Sequence, residues 1–472
     1  MMAVSRLMEF TWDYMIVIKD PTRYKSWCML NEKERLDKMI GKIPWYNTSE
    51  VDGGPRYEWT QENSRYLNNI QLVGTLLSTV PAGVLAENIG PYYLLLYATP
   101  VVGILNSLRV LFLSMDWIPL FISELFIGMH LGLIYPALFV WIARWARPQE
   151  IGIFVASNIG NGLAAAISDL LLRYLSPTIG WRSFYYSLSG IIFLFVGLLW
   201  FLGSNSPETH NRISAREIYH IKTSQRGKVT PTKTIPPYGR ILTSTAFWAV
   251  NILCFGTICS DTFFEWIIGE FLFHVLGITL RLVELLEFLP YLCKITGSII
   301  VTCLADFLRS KEISNDTTIA RLYAVFSHIV PGCAIIFLSM VRCHENLAII
   351  FFFVAYTLSC CNYISVYRVI IDIAPNYAGT IYGMVRVWNC IAKIVIPQCY
   401  EFILTLDNGI IGWCLVFLLG GGCVLGTGVI FLFFGQGRCQ WWNLKSADRL
   451  KTFQYRNPDE PSSSAGSSIQ AQ

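Results

Sequence analysis

The chain has 472 residues, of which 54% are hydrophobic and 14% charged, with a formal net charge of +4. Soluble domains are about 25% charged, so this chain has too few charges to cover a water-facing surface, and its net charge gives a nucleic-acid partner no support. The composition is that of an all-α, multi-pass membrane protein.

Residues 1–60 stand apart, with nine basic and nine acidic residues. Their first apolar run is broken by Arg6, Glu9 and Asp13, which argues against a signal peptide. A bilayer core takes about 20 apolar residues per helix. Stretches of that kind fall at 66–86, 91–114, 117–141, 151–175, 183–203, 246–268, 288–307, 322–341, 347–367, 379–404 and 411–434. Five spans therefore make an N-terminal helical bundle within 61–203. A polar loop follows at 204–245, then a six-helix bundle at 246–434. The tail 435–472 ends in a Ser/Pro-rich stretch that reads as partly disordered.

Loop charge orients the spans. The central loop carries Arg212, Arg216, Lys222, Arg226, Lys228, Lys233 and Arg240 against Glu208 and Glu217. Arg144 and Arg147, and the tail's Arg438, Lys445, Arg449, Lys451 and Arg456, fall on the same side by span counting. Basic loops stay in the cytosol, which puts 1–60 on the opposite, extracytoplasmic side. Asn47-Thr48-Ser49 is then an accessible glycosylation sequon, whereas Asn315-Asp316-Thr317 lies in a cytosolic loop and should be silent.

The cysteines, such as Cys254, Cys293, Cys360 and Cys361, sit mostly within apolar runs and read as small packing residues. No spacing suits zinc, and no cofactor motif occurs. A phosphate-cradling loop, Gly-x-Ser-x-Gly and His-Glu-x-x-His are all missing, so the chain does not read as an enzyme. An echo links its halves: Leu85-Ala86-Glu87 and Leu304-Ala305-Asp306 both put an acid at a cytosolic span end, a pattern of related repeats.

Gly83-x-x-x-Glu87-x-x-Gly90 resembles the loop signature of the major facilitator superfamily, without its usual basic residues. More specific stretches follow in order. They are Tyr57-Glu58-Trp59-Thr60, Val80-Pro81-Ala82-Gly83, Tyr135-Pro136-Ala137, Trp145-Ala146-Arg147-Pro148-Gln149-Glu150 and Gly180-Trp181-Arg182. Leu289-Pro290-Tyr291, Asp372-Ile373-Ala374-Pro375-Asn376-Tyr377-Ala378-Gly379 and Phe434-Gly435-x-Gly437 complete the series. Over roughly 57–442 the chain resembles the anion:cation symporter family of sodium–phosphate cotransporters, sialin and vesicular glutamate transporters. The resemblance implies two helical bundles with twelve spans, of which eleven are found and the first is not. It also implies alternating access around a midplane site. The family's fourth-span Arg is Glu124 here, and the second-span His and seventh-span Arg of the vesicular glutamate transporters are Asn68 and Thr257, so a glutamate-specific reading is disfavoured.

Ionisable residues within spans are costly and become functional candidates. Arg386 and Lys393 are seven residues apart, which leaves them about 20° apart on one helix face. Two cations on one face suit a small anion, or else pair with acids of neighbouring helices. Asp261 and Glu265, one turn apart, suit proton or cation coupling, or serve as counter-ions for Arg386 and Lys393. By resemblance Glu124 faces the cavity, and Asn68 and Tyr135 join it as substrate contacts. Asp169 and Arg173 neutralise each other, Arg368 and Asp372 take a structural role at a span end where snorkelling is cheap, and Arg109 can snorkel too. The chain thus reads as a secondary transporter of a small organic or inorganic anion, driven by H+ or Na+, in the plasma membrane or an endolysosomal or vesicular membrane. The alternative is a transporter-shaped protein that serves as a receptor or partner subunit.

Overall fold

The computed structural model describes residues 61–115, 117–156, 160, 181–225, 229, 235–278, 280–341, 344–407 and 409–443. The polar segment with Asn47, the Asp169 and Arg173 pair, and the tail beyond residue 443 lie outside the described residues. Nine helices among the described residues are long and apolar enough to cross a membrane. They coincide with nine of the eleven expected spans. A tenth is longer than its apolar stretch, and the span 151–175 is described only in part.

The N-terminal bundle contains α1 (Gln61–Asn88), α2 (Pro91–Met115), α3 (Trp117–Trp145), the short α4 (Ile151–Ala156) and α5 (Trp181–Leu202). Gly90 ends α1 with φ +110, a conformation that a side chain would strain. Pro91 then opens α2, where its missing N–H is no loss, and Asn205 Oδ1 accepts the Tyr92 N–H at 3.0 Å.

The basic loop forms a helix of its own, α6 (Ala215–Ser224). Gln225, at its end, donates to the Arg144 and Ala146 carbonyls at 3.1 and 3.3 Å, which caps the last turn of α3.

The C-terminal bundle begins with α7. It runs from Thr245–Thr262 through the wide turns Phe263–Ile267 and Phe271–Val275. The helix therefore outlasts the apolar stretch ending at 268. Its companions are α8 (Leu280–Ser310), α9 (Asp316–Val341), α10 (Glu345–Ile373), α11 (Ala378–Leu406) and α12 (Ile410–Phe434). Wide turns also interrupt α9 at Val325–Ile329 and α10 at Tyr363–Arg368. Such single-turn bulges recur at functional sites. Pro81, Pro100, Pro136, Pro290 and Pro397 all lie inside helices.

The bundles meet where α11 packs on α1 and α3. Gly83 is required there, because a Cβ would come within 2.5 Å of the Gly379 carbonyl carbon, and Gly383 abuts the Thr79 carbonyl. This contact lies at the end that carries the 204–245 loop. At the same end Glu87 accepts the Thr380 N–H at 2.7 Å and its hydroxyl at 2.8 Å, capping the start of α11. In the other half, Asp306 pairs with Arg368, and Arg368 also donates to the Pro148 carbonyl at 2.6 Å. Arg309 reaches Asp372 at 3.0 Å. Both echoed acids, Glu87 and Asp306, therefore sit at this junction.

The opposite end is splayed. Every residue from Ala378 to Gly383 is buried, whereas none from Lys393 to Leu406 is. There Ile396, Tyr400, Ile403 and Leu404 keep one side of α11 against the core of its own bundle, while Val395, Gln398, Cys399, Phe402, Thr405 and Leu406 are exposed. The molecule is closed at the loop end and forms a cleft toward the other end.

Candidate functional site

The floor of the cleft is built on α3 and α11. The Arg386 guanidinium lies 4.2 Å from the centre of the Tyr135 ring, a cation–π contact that joins the two bundles. Tyr382 lies one turn earlier on α11, beside Arg386. Its ring stacks on Phe139 at 4.1 Å and lies 5.9 Å from Tyr135. Tyr135, Phe139 and Tyr382 are buried, and Arg386 is half-buried. The Tyr135 ring therefore seats the guanidinium, and Tyr382 stacks between Tyr135 and Phe139 beside it. The guanidinium's planar fork matches a carboxylate or an oxyanion.

Asn389 lies one turn beyond Arg386 and accepts from the Cys254 thiol of α7 at 3.4 Å. Lys393 is half-buried two turns beyond Arg386 on the same helix face. The structure thus brings Tyr135 and Arg386 together, with Lys393 above them. Asn68 lies on α1 and Glu265 on the wide turn of α7.

Asp261 has a partner that sequence reasoning missed. Lys294 Nζ of α8 is 3.0 Å from its Oδ1, with the two side chains 15% and 17% exposed. Helical pairing explains the match. Gly277, at φ +77, turns α7 into α8, and residues 261 and 294 are equally far from that turn. Each also falls near the middle of its helix. Lys294 shares a face with Ser298 and Thr302, both fully buried, so it points into the bundle. Its ammonium lies 4.9 Å from the centre of the Tyr356 ring.

The levels of these groups differ. Helices α7 and α11 both start at the loop end. Counted from the Cys254–Asn389 contact, Asp261 lies seven residues, about 10 Å, toward the open end. Arg386 lies three residues, about 5 Å, toward the closed end. The Lys294–Asp261 pair therefore flanks the approach and Arg386 the floor.

Glu124 is enclosed rather than open to the cleft. It pairs through both oxygens with Arg109, and both side chains are 0% exposed. Asn106 accepts from the same guanidinium at 3.3 Å and donates to Ser189 at 3.0 Å. Residues 109 and 124 lie equally far from the α2–α3 turn, so the hairpin brings them level. This corrects the expectation that Arg109 snorkels. Arg368, expected in a structural role with Asp372, is 1% exposed and bonds both Asp372 and Asp306. Both are held by carboxylates on neighbouring helices, a pairing that span-by-span reading does not reveal.

Lys294 was legible by the criterion that found Arg386, a charge in the middle of an apolar span. Tyr382 and Asn389 carried no such mark. The cysteines pack as expected: Cys254, Cys360, Cys361 and Cys390 are buried and unbridged.

Residues 57–397 match the pattern of the Major Facilitator Superfamily. Sialin of Homo sapiens is 25% identical over 399 residues, 83% of this chain and 79% of sialin. The probable small intestine urate exporter of Homo sapiens is 25% identical over 82% of this chain and 78% of its own. Sodium-dependent phosphate transport protein 3 of Mus musculus is 24% identical over 82% and 81%. These relatives agree with the anion-transporter resemblance read from the sequence. Among solved structures, the proton:xylose symporter XylE is similar in fold at a TM-score of 0.62 and 14% identity, covering 93% of this chain and 96% of that one. Two helical bundles, closed at one end around a central cleft, and a family pattern spanning most of the sequence lead to one conclusion: the chain is a multi-pass membrane protein that belongs to the major facilitator superfamily.

Proposed function

We propose that the chain is a secondary active transporter of a small organic anion, working by alternating access with Arg386 as its principal substrate contact. The observation that carries this reading is the Arg386 guanidinium held across the bundle interface on the Tyr135 ring, 4.2 Å from its centre. A cation at the floor of a low-dielectric cleft favours an anion beside it. Arg386 touches both bundles, so an anion bound to it is placed to influence their closure. The sialin, urate-exporter and phosphate-transport relatives support an anion as cargo.

Lys393 is the second cation along the route, with Asn68 contributing from α1. Asp261 and Glu265 are the coupling acids, taking H+ or Na+. Glu124 is assigned instead to holding α2 against α3. The basic loop 204–245 lies in the cytosol, so the cleft opens extracytoplasmically, in the plasma membrane or an endolysosomal or vesicular membrane. Asn47 carries a glycan on that outer side.

Uptake of radiolabelled urate, phosphate and benzoate into proteoliposomes tests this reading. Arg386→Ala should abolish uptake with expression unchanged. Arg386→Lys keeps charge but loses the planar fork, and should raise KM more than it lowers kcat. Normal transport by Arg386→Ala would place the anion elsewhere.

A further inference from the structure

We propose that Lys294 and Asp261 form a proton-operated pair, in which a proton taken by Asp261 frees the Lys294 ammonium to hold the incoming anion. This rests on the transport reading above, and goes beyond it in naming the cation, the coupling ion and the order of events.

The geometry suits an exchange of partners. The pair is joined at 3.0 Å and is 15% and 17% exposed, so it is reachable from the cleft. By contrast, Arg109 and Glu124 are sealed at 0%. It lies near the midpoints of α7 and α8, about 10 Å above the Cys254–Asn389 contact along the helix. An anion entering from the open end passes it before reaching Arg386.

The surrounding charges decide what pairs with what. Asp261 is paired with Lys294 from α8, and its charge is felt by Cys254 on its own helix and Tyr367 from α10, while α11, packed on α7, carries Lys393 four residues beyond Asn389 toward the open end. Arg386 from α11 acts on the same Cys254. His328 of α9 is taken up by the Leu253 carbonyl and Thr257 at 2.9 and 3.2 Å. Helix α12 brings no charged side chain along its length. The Tyr356 ring rests on Lys294, and Cys360 also feels its charge.

An anion drawn to Lys294 must compete with the Asp261 carboxylate. Both carry negative charge in a low-dielectric cleft, and like charges this close repel. A proton on Asp261 removes the repulsion and leaves the ammonium's three N–H donors to the anion. Binding of proton and anion is therefore mutually favourable, as linkage requires. When the cleft opens to the other side, Asp261 loses its proton to water, re-forms its bond to Lys294 and expels the anion. One proton crosses with each anion, and no covalent bond to carbon changes. A proton needs one lone pair, which the Asp261 carboxylate supplies, whereas a sodium ion would need several oxygen ligands.

The test uses the full chain in sodium-free proteoliposomes with an inward proton gradient, and the best transported of urate, phosphate and benzoate as probe. In the wild type, raising the external pH by two units should weaken apparent affinity by about tenfold or more, within the usual range for linked sites. Asp261→Asn should lose this pH dependence yet keep anion exchange across the membrane. Lys294→Ala should lose uptake and exchange, and Lys294→Arg should restore part of both. The double variant Lys294→Ala/Asp261→Asn, in which no charge is left unpaired, should fold and still fail to transport. Transport restored in the double variant would make the pair purely structural and overturn the proposal, as would wild-type uptake that needs sodium and ignores pH. In either case sensitivity to Arg386→Ala would leave the transport reading standing. Wild-type vesicles that take up none of the three probes would fail that reading and this proposal together.

Discussion

The Arg109–Glu124 pair yields a prediction whose size follows from its geometry. Both side chains are 0% exposed, so neither charge is hydrated when its partner is lost. With charge centres about 4 Å apart and an effective dielectric of about 20, their attraction is about 4 kcal/mol. Breaking a buried pair by removing one member costs about 3–5 kcal/mol, since the other charge stays buried, while replacing both by apolar residues is close to neutral. Glu124→Ala should therefore lower the apparent melting temperature in detergent sharply, read by size-exclusion chromatography after a heating series. Arg109→Met/Glu124→Met should return close to the wild-type value and still transport. Equal stability of Glu124→Ala and wild type would refute the enclosure argument. Stable but inactive double variants would instead put Glu124 on the substrate route.

Other consequences follow from the closed end and the loop. Gly379→Leu pushes a side chain into Val140 and the Pro136 carbonyl, so it should hold the bundles apart at the loop end and cut transport at least tenfold, about 1.4 kcal/mol. Glu208 would be raised by burial, but its salt bridge to Lys222 and a hydrogen bond from Ser206 hold it below the usual carboxylate value. Its contribution to docking α6 is thus present above the ordinary carboxylate range and fades as pH falls through its lowered value. Hydrogen exchange along Ala215–Ser224 should accelerate under those acidic conditions, and unchanged protection would contradict the sign. Endoglycosidase should shift the mobility of the wild type and of Asn315→Gln, but not of Asn47→Gln.

The apolar spans were legible because lipid demands long apolar runs, and nine helices among the described residues fall where those runs do. The end of α7 was not. Apolar length stops near residue 268, yet the helix turns on through Phe271–Val275, sustained by packing of Phe271 on Phe417 and Trp413. The Glu87 and Asp306 echo pointed to a shared structural position, and both acids reach the bundle junction. At the site, the spacing of Arg386 and Lys393 gave their common face. It could not give Tyr135 as the ring beneath Arg386, because that contact joins helices some 250 residues apart in sequence. The partner of Asp261 was hidden for a related reason. Counting outward from Gly277 finds Lys294, but only once α7 and α8 are known to continue unbroken to that turn. Arg109 and Glu124 are the same case on a shorter hairpin.

Alternating access around Arg386 is tested most directly by distances at the two ends of the cleft, measured by spin labels in a background stripped of reactive cysteines. One pair, Met115→Cys and Leu406→Cys, spans the open end, where both residues are exposed at 66% and 72%. The other, Ile89→Cys and Ile313→Cys, spans the loop end, where both are exposed at 54% and 62%. Addition of a transported anion at acidic pH should bring the first pair together and move the second apart, and Arg386→Ala should abolish both changes. Distances at both ends that stay fixed with the anion present would contradict the account and favour a transporter-shaped protein that serves as a receptor or partner subunit.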